Sequence, residues 1–120
     1  MLSFAHVIAC DTHPLNNLRV LEYLRGELGV AEPAVRRWYG HWVGAAFAAL
    51  ETYVRQWSGG TYCCGDRVSL ADVCLVPQMY NARRFGCDHT PYPELVRIAD
   101  ALADTEPFRR AAPEQQPDGV

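Results

Sequence analysis

The stretch Gly65-Asp66-Arg67-Val68-Ser69-Leu70-Ala71-Asp72, followed by the apolar run Val73-Cys74-Leu75-Val76, restricts the fold of this chain more than any other. Ser69 is a strong N-cap residue, because its hydroxyl can accept from the free backbone N–H of Asp72. Asp72, three residues on, can accept in return from the N–H of Ser69, which makes a capping box with Asp in the usual place of Glu. Val68 and Val73 occupy the two positions of a hydrophobic staple, which sets the angle of entry into the helix. From Leu70 to Tyr80 the helix reads as a nearly continuous apolar rod, and such a rod has to be central. The other segments are expected to pack around it.

Those segments read as helices too. Phe4, Val7, Ile8 and Asp11 recur at helical spacing over Leu2 to Asp11, with no cap before them, as in a longer helix cut short. Pro14 lacks an N–H and disfavours a helical residue before it, so this helix is expected to end or kink at His13. A second helix is expected from about Leu15, with Leu18, Leu21, Leu24 and Leu28 along one side, until Gly26 and Gly29 open a turn. Pro33 then suits a helix start. Val35, Trp38, Tyr39, Trp42, Val43, Ala46, Phe47, Leu50, Val54 and Trp57 follow every three or four residues, an aromatic-rich stripe read as core. Gly40 and Gly44 on this helix suggest close approach of another helix or, alternatively, room for a ligand. Pro77 is expected to kink the capped helix, and Gly86 to stop it. Thr90-Pro91-Tyr92-Pro93 opens a helix through Leu95, Ile98 and Leu102, and Thr105 caps a short last one.

No run alternates apolar and polar residues, so the expected fold is an all-α helical bundle. At 120 residues it is one domain, taken as residues 1–112 with a polar tail over 113–120. The net charge of -3 gives no electrostatic case for nucleic acid or an anionic membrane. No stretch is apolar for long enough to suggest a membrane span. The five cysteines, Cys10, Cys63, Cys64, Cys74 and Cys87, form no CxxC pair and no zinc spacing with histidine, so no metal site is expected. Their odd count suits a reducing, cytoplasmic setting. Cys63 and Cys64, being adjacent, could bridge only with strain and read as ordinary thiols near a turn.

Two clusters could carry function. His13-Pro14-Leu15-Asn16-Asn17-Leu18-Arg19 lies at the expected helix break. Four residues separate His13 from Asn17, which lets them share a face, whereas Asn17 and Arg19 can act together only if the helix is irregular there. On their own, such groups most often satisfy backbone at a break. Arg83 and Arg84 close the capped helix, where cations suit the helix C-terminus.

Several separate words place these clusters in context. The capping motif, Leu75-Val76-Pro77-Gln78, Tyr80-Asn81-Ala82-Arg83-Arg84-Phe85, Cys10-Asp11-Thr12 with the His13–Arg19 cluster, and the closing Gln116-Pro117-Asp118 together resemble the C-terminal helical domain of zeta-class glutathione transferases. That class includes the maleylacetoacetate and maleylpyruvate isomerases, and the resemblance spans nearly the whole chain. It implies that His13, Asn17, Leu18 and Arg19 line a glutathione pocket, and that Arg19 and Arg84 hold the carboxylates of a small dicarboxylate-type substrate. A guanidinium suits that task, because it stays charged and grips both oxygens. Arg83 matches a more variable position and reads as surface, while Ser69 and Asp72 serve folding.

The class carries its thiol-activating serine on an N-terminal thioredoxin-like domain that nothing here matches, so no catalytic residue is expected in this chain. Most of the glutathione would be held by that absent domain, and the chain alone is expected to be inactive. The resemblance further implies a homodimer. Two readings follow: the C-terminal domain of a glutathione-dependent cis–trans isomerase, or a free-standing, non-catalytic binding module derived from it.

Overall fold

The computed structural model describes residues 1–119. It contains seven α-helices among them: α1 Leu2–His6, α2 His13–Leu15, α3 Leu18–Gly26, α4 Glu32–Trp57, α5 Leu70–Arg84, α6 Pro93–Ala103 and α7 Glu106–Ala111. A π-helical segment, Val7–Thr12, joins α1 to α2, and a 3-10 turn, Pro113–Gln115, follows α7. The one β feature among the described residues is an isolated bridge between Tyr62 and Gly65. The all-α expectation holds.

The first departure from expectation lies at Pro14. His13 is helical (φ -61°, ψ -47°), and the helix runs on to Leu15 instead of ending before the proline. The π-helical segment explains this. His13 N–H donates to the carbonyl of Ile8, five residues back, and Thr12 Oγ1 donates to Val7 O at 3.0 Å. Widening the turn by one residue just before Pro14 relieves the ring's usual clash with the preceding turn. The chain turns instead at Asn16 and Asn17, and Asn17, in extended conformation, caps α3 by accepting from Arg19 N–H at 3.1 Å. The second helix therefore starts at Leu18, not Leu15. Of the four leucines expected along it, Leu21 is buried and Leu24 partly so, whereas Leu18 is exposed, as is Leu28, which lies beyond the helix.

Helix α4 is the longest element, about 39 Å at 1.5 Å per residue. It buries Val35, Tyr39, Val43, Phe47, Leu50 and Val54 against its neighbours. The aromatic stripe is only partly core: Trp38 and Trp42 are half-buried, and Trp57 stands in solvent. Trp38 Nε1 donates to Leu15 O at 3.0 Å, which fastens the end of α2 to α4. No helix approaches Gly40, which has open space where a Cβ would stand, and at Gly44 the neighbour is the Tyr92 hydroxyl, which donates to Gly44 O at 3.2 Å.

The capping box is present in both halves, with the carboxylate half making the full hydrogen bonds. Asp72 Oδ2 accepts from Ser69 N–H at 2.9 Å and from Ser69 Oγ at 3.1 Å. Its other oxygen accepts from Cys63 N–H at 3.0 Å, so the same buried carboxylate also pins the preceding loop. In that loop, a Cβ on Gly60 would stand 2.5 Å from the carbonyl carbon of Gly65, so only glycine allows the close approach.

Helix α5 is unbroken around Pro77 and packs against α1 and α6, as a central helix should. It is nevertheless two-faced. Ala71, Leu75, Met79 and Ala82 are buried, while Leu70 and Val73, like the neighbouring Val68, are about half exposed. Gly86 (φ 71°) ends it in a Schellman turn, with Cys87 N–H donating to Ala82 O and Gly86 N–H to Arg83 O.

Helix α6 contributes Leu95, Ile98, Ala99 and Leu102 to the core. Its free N–H groups are capped from α4: Glu51 accepts from Glu94 N–H at 3.1 Å and from Leu95 N–H at 3.0 Å. Thr105 precedes α7 as expected but does not cap it, because its hydroxyl donates back to Leu102 O at 2.6 Å.

Candidate functional site

The turn after α2, the N-terminal part of α4 and the last turns of α5 enclose a cleft of about 390 Å³. His13, Asn17 and Leu18 enter it from the helix break, and Arg84 enters from the end of α5. Four of the five ligand-contact residues named from sequence thus meet at one place. Arg19 is the fifth, and it lies outside the lining; its backbone N–H is engaged by the Asn17 side chain.

The two adjacent arginines differ in what they touch. Arg83 pairs with Asp100 on α6 at 2.9 Å, which accounts for it as a helix-to-helix contact. Arg84 has no carboxylate partner among the described residues and lines the cleft exposed. A guanidinium without a counter-ion at the mouth of a cleft is available to an anionic ligand.

The remaining walls were not singled out from the sequence. Gln78, Asn81 and Phe85 line the cleft with Arg84, and their spacing of three and four places them along one side of α5. Two amides at that spacing within an otherwise apolar helix were the available signal. Tyr39 contributes from α4, with its ring stacked on Phe85 at 3.9 Å between centroids and 5° between planes. Burial pushes the phenol up to about 12, with Cys87 adding to the shift and Arg84 opposing it, so Tyr39 is a neutral hydroxyl at physiological pH.

Asn16, also in the lining, donates from Nδ2 to Tyr39 O at 3.2 Å. That bond fixes which way the amide points, and its Oδ1 is left buried without a hydrogen-bond partner. Among the described residues, the walls therefore offer one guanidinium without a carboxylate partner together with amide and hydroxyl groups.

A second cavity, about 280 Å³, lies between α5, α6 and α7. It is lined by Val76, Met79, Tyr80, Ala99, Phe108 and their neighbours, and the arginine on its wall is Arg83, already held by Asp100. Among the described residues no cluster of His, Cys, Asp or Glu could hold a metal ion, and no helix is long and apolar enough to cross a membrane.

Comparison with known proteins places this architecture. The family described as "Glutathione S-transferase, C-terminal domain" matches residues 32–112. A probable maleylacetoacetate isomerase of Vibrio cholerae serotype O1 is 53% identical over 111 residues, which are 92% of this chain and 51% of that protein. The crystal structure of maleylpyruvate isomerase from Pseudomonas aeruginosa superposes with a TM-score of 0.95 at 45% identity, covering 99% of this chain and 62% of that one. A maleylacetoacetate isomerase from Anaeromyxobacter dehalogenans, crystallised with dicarboxyethyl glutathione and citrate bound in its active site, superposes at 0.90 with 41% identity over 99% of this chain and 52% of its own. The chain spans about half the length of the curated relatives it matches. With that extent of match in sequence and in helix packing, the chain belongs to the glutathione S-transferase family and corresponds to its helical C-terminal domain.

Proposed function

We propose that this chain forms the substrate side of a glutathione-dependent cis–trans isomerase of the maleylacetoacetate or maleylpyruvate type. The observation that carries the reading is Arg84, a guanidinium with no carboxylate partner among the described residues, in a cleft whose described lining includes no Asp or Glu. It suits one carboxylate of a small dicarboxylate-type substrate. His13, Asn17 and Leu18 are assigned to the glutathione side of the cleft, with Arg19 at its rim. The walls suit a peptide-like cofactor: glutathione brings both N–H donors and carboxylates, and Gln78 and Asn81 line the cleft with amides that can donate and accept.

When bound, glutathione supplies the thiol for reversible addition to the cis double bond conjugated with a carbonyl. This chain's own part is to hold the substrate carboxylate and to orient its polar end. We assign the thiol-activating group, and most of the glutathione contacts, to a thioredoxin-like N-terminal domain. The exposed apolar side chains Leu2, Leu70 and Val73 on α1 and α5 support such a partner, because monomeric proteins rarely leave large apolar patches uncovered. The assembly proposed is a homodimer of the two-domain protein.

The test is a fusion of this chain behind the N-terminal half of the Vibrio cholerae relative. The fusion should isomerise a maleyl-oxo acid only with glutathione present. Arg84→Met should lower kcat/KM by roughly ten- to a hundredfold, because a charge-assisted bond to a carboxylate contributes about 1.5–3 kcal/mol. Arg83→Met should change it little. Equal losses from both substitutions, on isomerisation and on conjugation of glutathione to an uncharged acceptor, would show that these arginines hold the fold and not the substrate.

A further inference from the structure

Tyr39 is 4% exposed, yet its hydroxyl makes no hydrogen bond to any described residue. The oxygen is also absent from the fully enclosed, unpartnered polar atoms, which include Asn16 Oδ1 and Trp42 Nε1. A hydroxyl that lacks a partner and is not sealed in protein opens onto free space, and the space that Tyr39 lines is the cleft of Arg84. The ring is packed on one face, and the backbone that carries it is pinned. Phe85 stacks on it at 3.9 Å with 5° between planes, and Asn16 Nδ2 binds the Tyr39 carbonyl at 3.2 Å. Stacking and burial leave the ring little freedom, so the hydroxyl is presented in a preset place. A hydroxyl that faces a cleft with no protein partner is free to donate to a ligand oxygen.

We propose that the Tyr39 hydroxyl is a specificity-determining donor of this cleft, giving its hydrogen bond to a second oxygen group on a short cis-alkenoate whose carboxylate is held by Arg84. The assignment rests on the reading of Arg84 as the carboxylate site. Two features fit the donor role. The phenol stays protonated well beyond neutral pH, and among the described residues lining the cleft Arg84 is the one arginine or lysine. One end of the ligand is then gripped by charge and the other by a neutral O–H, which favours ligands with two oxygen-bearing ends over those with one.

The experiment titrates the chain with maleate and with isocrotonate, which keeps the cis double bond and one carboxylate but ends in a methyl group. Binding is followed by amide chemical shifts in wild type, Tyr39→Phe and Arg84→Met. Phenylalanine keeps the stack on Phe85 and removes only a hydroxyl that has no protein partner, so the thermal midpoint should not fall. Wild type should bind maleate more tightly than isocrotonate, by about tenfold or more. Tyr39→Phe should abolish that preference by weakening maleate alone, and Arg84→Met should weaken both ligands. If Tyr39→Phe keeps the wild-type preference, or weakens both ligands alike, the donor role is overturned while the Arg84 site stands. If Arg84→Met changes neither ligand, or wild type binds neither, the carboxylate site itself fails and the Tyr39 assignment with it.

Discussion

Replacing Glu51 should destabilise the domain through a helix that Glu51 does not belong to. The first turn of α6 has few ways to satisfy its backbone: Pro93 has no N–H, Tyr92 offers no capping side chain, and Val96 N–H is already given to Tyr92 O. That leaves Glu94 and Leu95, and the two oxygens of Glu51 accept from both, at 3.1 and 3.0 Å. Glu51 is only 6% exposed, so water cannot easily take its place. Glu51→Ala orphans both donors; at about 1–3 kcal/mol for each buried unsatisfied group, with Glu94 at the lower end because its bond is only partly buried, the loss should be about 3–4 kcal/mol. Glu51→Gln keeps one acceptor oxygen but turns an amide N–H toward a backbone N–H and removes the favourable charge at a helix N-terminus, for about 2 kcal/mol.

Arg55, which pairs with Glu51 at 2.9 Å, has a side chain 57% exposed, and Arg55→Met should cost under about 0.5 kcal/mol. Urea unfolding followed by far-UV circular dichroism ranks the three variants. If Arg55→Met matches Glu51→Ala, the ion pair is the stabilising element and the capping argument fails. A Glu51→Gln variant as stable as wild type would refute the charge argument.

Two further perturbations follow from the loop before α5 and from the cysteines. Ser69→Ala should cost about 1 kcal/mol and Asp72→Ala more, since Asp72 also holds Cys63 N–H; the double variant should cost less than the sum, and additive losses in urea melts would speak against a shared motif. Burial first, and the neighbouring Asp72 carboxylate next, hold the Cys63 thiol well above the usual range, so between pH 7 and 9 it stays protonated and iodoacetamide should label exposed Cys10 long before Cys63; mass spectrometry showing the reverse order would contradict the burial of Cys63.

What could be read from the sequence was what is written locally. The capping box, the glycine stop at Gly86 and the periodicity of α4 and α6 each depend on residues within a turn or two of one another, so their signals survive without tertiary knowledge. Glu51 was hidden for the opposite reason: the N–H groups it caps are more than forty residues away, and on α4 it looks like any charged residue at a helix edge. Tyr39 was absorbed into an aromatic stripe, because only packing distinguishes a buried ring from a buried ring whose hydroxyl opens onto a cleft. The leucines of α3 misled in the same way, since spacing marks a shared face but not what covers it. At Pro14 the rule applied was sound, but a wider turn upstream avoided its consequence.

That wider turn also sets the helical phase of everything after it. Phe4, Ile8, Thr12 and Asn16 are all buried, one every four residues. On an uninterrupted α-helix each step of four overshoots a full turn by about 40°, so Asn16 would point about 120° away from Phe4. The π-helical segment takes up that difference and keeps one buried line from the core packing of α1 to the wall of the cleft. A chain one residue shorter between Val7 and Thr12 could regain ordinary α-helical hydrogen bonding and still keep Asn16 within about 20° of Phe4, whereas the present chain wound as a plain α-helix would swing Asn16 about 120° away. The wide turn is therefore a clocking element: it absorbs one residue more than an α-helix could carry in phase, and so aligns the face that anchors the helix with the face that meets a ligand.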